Sequence, residues 1–389
     1  MGADLGTSAG SPPGPAPGVA FDPANCPRLV VKIGSSLLVD AAGAVRSQWL
    51  AGVVADVAQR RAAGQQILIV SSGAIALGAR RLGLEKGGRA SLEDAQAAAA
   101  VGQVALAGAW EALLAAQGLT AAQVLLTLGD LEDRRRYLNV AATTRRLLDL
   151  GAVPVLNEND TVATTEIRFG DNDRLAARAA QAAGASGVIL LSDVDGLYTA
   201  NPTTDPAAKR LAVVKALTPE IMAMATGETR SGMGSGGMVA KLLAARMAGA
   251  AGIALAICDG RVERPLTHFA NAGGGTLFLP PRAAKGRKAW LAGRITVAGS
   301  LSVDAGAAAA LKRGASLLAA GVRDVEGRFR RGDVVAISGP QGELLGRGLV
   351  GYDADDARAI LGQRNEAHAA ILGYAPRAAL VHADHLVLI

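Results

Sequence analysis

Short apolar runs alternate with longer segments of helical character over the first two thirds of the chain. The apolar runs cover residues 29–33, 66–70, 124–128, 152–156, 187–191 and 252–257, and the helical segments between them include residues 47–63, 91–117 and 133–150. Runs this short and this uniformly apolar are typical of strands that are buried on both faces of a parallel sheet. The pattern therefore predicts an α/β fold, a three-layer α/β/α sandwich with a mainly parallel central sheet.

The pattern changes after about residue 280. A basic segment is followed by shorter β-like runs at residues 334–337 and 344–350, which glycine and aspartate interrupt at short intervals. Such spacing is typical of a small β-rich module. At the other end, the first residues are rich in Gly, Pro and Ser, a composition typical of disorder. We therefore expect a disordered leader over 1–26, a large domain over 27–281, a linker over 282–292 and a small domain over 293–389.

Composition and charge narrow the class of protein. A chain of 389 residues is long enough for two domains. Only 3% of the residues are aromatic, so the core must be built from small aliphatic side chains. The formal net charge is +6, but basic and acidic residues are interspersed without a long run of one sign. This favours a protein that binds a small anionic substrate over one that coats nucleic acid.

Cysteine and histidine usage and the apolar stretches indicate the compartment. The two cysteines and four histidines lack the spacing of a disulfide framework or of a metal site. The leader has no apolar core of the kind found in signal peptides. The Ala-rich stretch at residues 95–110 contains two glutamines and falls short of a membrane span. We expect a cytoplasmic protein with no membrane partner and no certain metal ligand.

Two clusters of carboxylate and amide side chains mark a candidate ligand site. Asn-Glu-Asn-Asp at residues 157–160 and Gly-Asp-Asn-Asp at residues 170–173 follow the apolar run 152–156. Open parallel sheets bind ligands at the carboxyl ends of their strands. Asn, Asp and Gly are also ordinary turn formers, but a plain turn needs fewer acceptors and amides. The clusters therefore predict a polar ligand site at the edge of the sheet.

Three further motifs place cations, hydroxyls and glycines beside predicted strands and helices. Lys32 lies in an apolar run that opens into a Gly-Ser-Ser turn, and a buried lysine is costly unless its ammonium reaches a polar cleft. Ser72 lies in a Ser-Ser-Gly sequence before a helix, and the glycine-rich residues 231–238 precede Lys241. Backbone N–H groups at such turns bind phosphate or carboxylate. Simpler interpretations are an edge-strand lysine and an ordinary N-cap.

The glycine-rich segment permits a second interpretation. Gly232, Gly234 and Gly237 match the Gly-x-Gly-x-x-Gly fingerprint of nicotinamide-dependent oxidoreductases, and Asp259 follows a later apolar run. That fingerprint requires a strand immediately before its first glycine. Residues 219–230 instead have the pattern of a helix and a polar loop, which argues against a dinucleotide site.

Together these motifs resemble the amino acid kinase family. The resemblance rests on residues 32–35, 72–75, 192–193 and 235–241 and on the two polar clusters. Within the family, the set is most similar to members that phosphorylate the γ-carboxylate of L-glutamate in the first step of proline biosynthesis. Kinases of acetylglutamate or aspartate share the lysine but not the whole set, and they stay as alternatives. The resemblance implies ATP and Mg2+ as cofactors, proline as a feedback inhibitor, and a homo-oligomer.

The resemblance also implies a role for each motif. Lys32, Lys241 and Asp173 would be catalytic, and Ser72, Asp160 and Asn172 would bind glutamate. The ATP-binding residues would be Lys32, Gly34, Ser192, Asp193, Ser235, Gly236, Gly237, Met238, Val239, Ala240 and Lys241. Because a carboxylate nucleophile is already ionised at neutral pH, no general base is needed. The two lysines would neutralise the transferred phosphoryl group, and Asp173 would orient them or hold the metal.

The last hundred residues resemble a PUA domain, a small β-barrel known from RNA-modifying enzymes. Residues 293–295, 304–307 and 331–334 carry this likeness. An RNA-binding protein is therefore a further alternative. Over residues 290–389, however, 11 Lys and Arg accompany 10 Asp and Glu, whereas strong RNA binding needs a basic stripe. We expect glutamate and ATP, and not RNA, as the partners.

Overall fold

The computed structural model describes residues 17–40, 42–162, 171–225, 237–272, 274–280, 297–374 and 379–388, which form two separate sheets. The strands of the first sheet are β1 (Arg28–Ile33), β2 (Gln66–Ser71), β3 (Ala121–Leu126), β4 (Val153–Glu158), β5 (Gly187–Ser192), β6 (Val213–Val214), β7 (Ala254–Asp259) and β8 (Thr276–Phe278). Their order is β3-β4-β2-β1-β5-β7-β8-β6, and all neighbours run parallel except β7 and β8. The predicted mainly parallel sheet is confirmed.

Helices connect these strands. They are α1 (Ser35–Leu38), α2 (Ser47–Ala62), α3 (Ala74–Leu82), α4 (Leu92–Ala115), α5 (Leu128–Glu132), α6 (Arg134–Asp149), α7 (Asp171–Ala183), α8 (Pro219–Ala223), α9 (Met238–Ala250) and α10 (Pro265–Ala272). The three helical segments predicted above correspond to α2, α4 and α6. Ser91 caps α4 by accepting a hydrogen bond from the backbone N–H of Asp94, as its sequence position predicts.

One predicted strand is displaced. The apolar run 124–128 is observed as β3, which lies three residues earlier and ends at Leu126. The cause is a capping box: the Thr127 side chain accepts from the Asp130 N–H, and the Asp130 carboxylate accepts from the Thr127 N–H. These bonds start α5 at Leu128, so the last apolar residue of the run belongs to a helix.

Alternate residues of β1 face opposite helical layers. Leu29 and Val31 pack in the core shared with α2, α4 and α10, whereas Val30 packs in the core shared with α7 and α9. Lys32 lies two residues after Val30, and side chains two positions apart in a strand face the same side. The strand therefore directs the Lys32 ammonium towards α7 and α9.

Helices α3 and α4 pack backbone to backbone. A Cβ atom added to Gly78 would overlap the carbonyl oxygen of Ala98, and one added to Gly102 would overlap that of Ala74. No side chain larger than hydrogen fits at either position without moving a helix. This contact fixes α4 against the start of α3, which directly follows Ser72.

The described part of the chain includes the last residues of the expected leader. The expected leader covered residues 1–26, of which 1–16 lie outside the described part. Pro17–Phe21, however, form a 3-10 helix, and Phe21 and Cys26 are fully buried. The Phe21 ring lies 5.9 Å from that of Phe269, in the core beside α10. The boundary at residue 26 was wrong, because one buried aromatic attaches this segment to the domain.

The second sheet has five strands and belongs to a separate core. The strands are β9 (Gly299–Val303), β10 (Val322–Gly327), β11 (Val334–Ser338), β12 (Leu344–Val350) and β13 (Val381–Leu388), in the order β10-β9-β11-β12-β13. The helices are α11 (Ala305–Lys312), α12 (Ala354–Ala359) and α13 (Asn365–Leu372). The predicted β-runs 334–337 and 344–350 coincide with β11 and β12. The predicted linker lies outside the described residues.

Side chains of helix α6 in the first domain contact the second domain. Both oxygens of Asp353 lie 3.2 Å from the Arg135 guanidinium, and Arg331 donates to the Asn139 side chain. The opposite side of α6 packs on α7, which begins with part of the second polar cluster. The small domain is thus joined by polar contacts to a helix adjacent to the candidate site.

Within the described residues, α4 alone is long and apolar enough to cross a membrane. Its Gly102 contacts α3, and its Leu106, Trp110 and Leu114 are buried in the core beneath the sheet. A third of the apolar window of α4 is buried in this way.

Candidate active site

The sequence motifs converge at one edge of the first sheet. Strands β4, β2, β1 and β5 are neighbours and run parallel, so their carboxyl ends lie side by side. After these ends come the polar cluster that starts at Asn157, then Ser72, Gly34 and the pair formed by Ser192 and Asp193. The first turns of α7 and α9 add Asp173 and Lys241. This is the edge at which open α/β sheets bind ligands.

Asp173 holds two lysines. Lys32 Nζ lies 2.7 Å from one carboxylate oxygen, and Lys241 Nζ lies 3.1 Å from the other. Asp173 is fully buried, and both lysines are less than 10% exposed. A buried carboxylate shared in this way fixes both ammonium groups at one place while leaving the triad with a net charge of +1. The site therefore favours a further anion.

The pKa values follow from this sharing. Burial disfavours the ionised form of Asp173, but Lys32 and Lys241 outweigh it, so the pKa of Asp173 lies below its ordinary value. Burial lowers the pKa of Lys32, and the charge of Lys241 lowers it further, while Asp173 acts against both effects. One carboxylate does not fully compensate two buried ammonium groups. The arrival of a phosphate would supply the missing negative charge.

A network of amide and hydroxyl groups lies beside this triad. Asn172 Nδ2 donates to Ser72 Oγ at 2.7 Å and to Asn157 Oδ1 at 3.2 Å. Asn157 Nδ2 in turn donates to Gln103 Oε1 of α4 at 2.8 Å. Asn172 Oδ1 is buried and has no hydrogen-bond partner among the described residues. The network thus presents an acceptor to the site.

Asp160 begins the 3-10 helix Asp160–Val162, two residues after the end of β4, and is 8% exposed. Its neighbour Arg89 was not predicted from the sequence. Burial lowers the pKa of Arg89 and the charge of Asp160 opposes this effect, which places the two charges close together. A cavity of about 340 Å³ is lined by Asp160, Glu158 and Gln103. Gln103 was also missed as a site residue, although the glutamines of the Ala-rich helix were noticed.

The expected ATP-binding residues fall into three groups. Gly34 caps α1, and Asp193 acts electrostatically on Lys32, its side chain accepting from Ser192 Oγ at 3.1 Å. Gly237 caps α9, whose first four residues are Met238, Val239, Ala240 and Lys241. Ser235 and Gly236 lie outside the described residues, as does Gly170 of the second polar cluster.

Comparisons with known proteins agree with this geometry. The sequence profile of the amino acid kinase family matches residues 27–259. The chain belongs to the amino acid kinase family. The PUA domain profile matches residues 299–372, which contain β9 to β12 of the second sheet. The family resemblance predicted from the motifs is therefore confirmed.

Individual relatives show which members of the family the chain is similar to. Glutamate 5-kinase of Sphingopyxis alaskensis is 63% identical over 369 residues, which cover 95% of this chain and 99% of the relative. Glutamate 5-kinase of Novosphingobium aromaticivorans is 62% identical over 364 residues, which cover 94% and 96%. The solved structure of a UMP kinase from Bacillus anthracis covers 66% of this chain and 96% of its own, with a TM-score of 0.46 and 14% identity. At 14% identity, this solved structure gives no information on the substrate of the chain.

Proposed function

We propose that the chain transfers the γ-phosphoryl group of ATP to the γ-carboxylate of L-glutamate, giving L-glutamyl 5-phosphate and ADP. This is the first step of proline biosynthesis. The observation that carries the proposal is the buried Asp173, which holds Lys32 and Lys241 at the ligand-binding edge of the sheet. The relatives named glutamate 5-kinase support glutamate over acetylglutamate or aspartate.

The reaction needs no base from the protein. The attacking oxygen belongs to a carboxylate that is ionised at neutral pH. As its bond to the γ-phosphorus forms, the bond to the ADP oxygen breaks, and negative charge spreads over the equatorial oxygens. Catalysis therefore consists of holding the two anions in line and neutralising that charge.

Lys32 and Lys241 supply this neutralisation. They approach from β1 and α9, on opposite sides of Asp173. Since both oxygens of Asp173 are engaged by ammonium groups, we assign Asp173 to orienting the lysines and not to holding a metal. The backbone N–H groups at the start of α9 would bind the phosphates beside Lys241.

Magnesium fits this site as a partner of the nucleotide. No group of three or more metal-ligating side chains occurs within the described residues. Mg2+ in kinases is commonly held by substrate phosphates, waters and only one or two carboxylates. When bound, Mg2+ would neutralise part of the negative charge of the nucleotide's phosphates. Asp193 is exposed, and its charge acts on Lys32. We therefore assign Asp193 as the carboxylate that would lie beside the metal.

Glutamate would lie against the amide network. Asn172 Oδ1 and the Asp160 carboxylate are acceptors, which suits the α-ammonium group, whereas Ser72 Oγ has a hydroxyl hydrogen for a carboxylate. In this arrangement the γ-carboxylate would extend towards the two lysines. Feedback inhibition by proline, homo-oligomer formation, a cytoplasmic location and the absence of RNA binding stay predictions.

Replacing Asp160 by Asn should raise KM for glutamate roughly 10- to 100-fold, because a charge-assisted hydrogen bond to the α-ammonium is lost. We expect kcat to change less than threefold, since Asp160 does not touch the transferred group. Steady-state rates at saturating ATP measure both constants. Asp149→Asn, an exposed carboxylate of α6, is the control and should leave both unchanged. A loss confined to kcat would contradict the assignment.

ADP release provides the direct test of the function. With ATP and Mg2+, the purified chain should release ADP when L-glutamate is added. Acetylglutamate and aspartate should give less than about one hundredth of that rate. Acetylation removes the ammonium charge, and aspartate, one methylene shorter, cannot bring its side-chain carboxylate to the phosphorus while its ammonium stays paired. Trapping the acyl phosphate with hydroxylamine should yield the hydroxamate. Equal rates with aspartate, or ADP release without hydroxamate, would refute the proposed reaction.

A further inference from the structure

A series of three side-chain amides runs from α4 to the glutamate site. Gln103 on α4 accepts from Asn157 at the end of β4, and Asn157 accepts from Asn172 at the start of α7. We call Gln103, Asn157 and Asn172 the amide relay. Gln103 belongs to none of the sequence motifs that suggested the family. It is the end of the relay that lies farthest from Ser72 and the triad.

Asn157 is held in one orientation. Its Oδ1 accepts from the Glu158 backbone N–H at 2.9 Å and from Asn172 Nδ2, while its Nδ2 donates to Gln103 Oε1. A reversed amide would direct its NH2 group at two donors and its oxygen at the Gln103 oxygen. Because Asn157 is 3% exposed, water cannot readily repair such a mismatch. Gln103 is thus one of the groups that decide how Asn157 is oriented.

The orientation of Asn172 decides what the site offers to a ligand. Its Nδ2 is surrounded by three protein acceptors: Asn157 Oδ1 at 3.2 Å, Ser72 Oγ at 2.7 Å and the Ser71 carbonyl at 3.5 Å. Its Oδ1 is left as a buried acceptor without a partner in the described part of the chain. A buried acceptor without a donor is costly, so this position suits a ligand donor. An ammonium group has three N–H donors and no acceptor.

We infer that Gln103 is a positioning residue, which acts through Asn157 to keep Asn172 Oδ1 directed at the α-ammonium group of the amino-acid substrate. This inference rests on the proposed function and deepens it. In this proposal, the Asp160 carboxylate supplies the negative charge that attracts the ammonium group. The amide relay holds the acceptor Asn172 Oδ1 in the orientation that receives an ammonium N–H. Without Gln103, the Asn157 NH2 group loses its acceptor, and Asn157 is held by fewer hydrogen bonds. Its contact with Asn172 Nδ2 is then weakened, and Asn172 Oδ1 is directed less firmly at the substrate ammonium.

The position of Gln103 itself is set by its neighbour. Gly102 contacts the carbonyl of Ala74 at the start of α3, and no Cβ fits there. The backbone that carries Gln103 cannot move away from β4 unless the two helices separate. The helix packing therefore sets the position from which the Gln103 side chain reaches Asn157 at 2.8 Å.

The test compares Gln103→Leu with Gln103→Glu. Leucine removes the acceptor, and we expect KM for glutamate to rise about tenfold with kcat and KM for ATP within twofold of wild type. Glutamate at position 103 restores an acceptor and should bring KM back within threefold. Gln103→Met, closer in shape, should behave as Gln103→Leu and replaces it if the leucine variant is not folded. Thermal unfolding of each variant records whether the fold is kept.

Glutarate separates positioning from a general disturbance, because it has both carboxylates of glutamate but no ammonium group. Its inhibition constant, measured in competition with glutamate, should be the same in wild type and in Gln103→Leu. Gln117→Leu is the matched control: Gln117 is exposed and follows the end of α4, the helix that carries Gln103, outside the lining of the cavity. The same chemical change there should leave KM for glutamate within twofold.

Three results would overturn the inference: an unchanged KM for glutamate in Gln103→Leu, a failure of Gln103→Glu to recover it, or an equal loss of glutarate binding. Each differs from a failure of the proposed function. If the wild-type protein releases no glutamate-dependent ADP, the function fails. If wild type is active and Gln103→Leu is normal, only the role of Gln103 fails.

Discussion

Replacing Lys241 by Met should lower kcat by about a thousandfold, with KM for glutamate within threefold of wild type. Methionine keeps most of the buried stem but removes the ammonium group that lies 3.1 Å from Asp173. Loss of one preorganised donor to a transition-state charge typically costs 100- to 1,000-fold in rate, or about 3 to 4 kcal/mol. Single-turnover measurements at saturating ATP and glutamate report this step directly.

The control for this change is Lys215→Met, which alters an exposed lysine and should leave kcat unchanged. A Lys241→Met enzyme that keeps its kcat but needs far more glutamate would contradict the assignment. In that case, Lys241 would bind the amino acid and not the transferred phosphoryl group.

Replacing Asp173 by Asn should reduce both activity and stability. The fully buried carboxylate compensates two buried ammonium groups, and removing one partner of a buried ion pair typically costs about 3 to 5 kcal/mol. We expect the free energy of unfolding to fall by about 3 kcal/mol, and kcat to fall at least a hundredfold because neither lysine is held. Urea denaturation and steady-state rates measure the two effects.

An exposed ion pair provides the comparison. Asp355 is 99% exposed and pairs with Arg358 three residues later, so Asp355→Asn should change neither stability nor rate measurably. A stable but inactive Asp173→Asn protein would show that the carboxylate positions the lysines for catalysis without contributing to stability. A stable and active one would remove the basis for the assigned triad.

The pH dependence of stability has a definite sign at Asp173. Its pKa in the folded protein lies below the ordinary value, because the two lysines outweigh burial. The stabilisation is therefore fully present above the unfolded-state pKa of about 4, and it is lost as the pH falls through the folded-state pKa. Wild type should lose more stability below about pH 4 than Asp173→Asn, which has no such carboxylate to protonate.

Much of the site could be predicted because its residues follow strands. In a parallel sheet, a polar residue just after an apolar run is placed at one edge wherever the run lies in the sequence. Ser72 and Asp160 follow this rule, whereas Lys32 lies inside the run, one residue before the end of β1. Asp173 and Lys241 instead lie in the first turns of helices, and the two side chains meet only if each helix turns the right face to the sheet. The order of the strands in the sheet, in which β1 lies between β2 and β5, brings together residues that are distant in sequence.

Gln103 and Arg89 could not be predicted in the same way. Gln103 lies within a long Ala-rich helix, where a glutamine is normally a solvent-exposed residue. Its partner Asn157 is 54 positions away, and only the close packing of α3 and α4 brings them together. Arg89 lies outside the helices and strands, and its effect on Asp160 depends on burial that a sequence pattern does not show.

The differences at element boundaries have local causes. At Leu128, reciprocal hydrogen bonds between a threonine and an aspartate outweighed the apolar pattern. At the amino terminus, one phenylalanine in a segment of glycine and proline was enough to anchor the chain. A prediction based on average composition does not detect a single buried ring.

The contact between Gly78 and Gly102 constrains how this enzyme can change its choice of substrate. Two missing methyl groups, on residues outside the lining of the cavity beside Asp160, set the distance between α3 and the helix that carries Gln103. Sliding α4 outwards would separate two tightly apposed backbones, so we expect that the proposed amino-acid pocket does not widen gradually. A variant that accepts a bulkier amino acid must instead gain room by trimming the side chains that line the pocket.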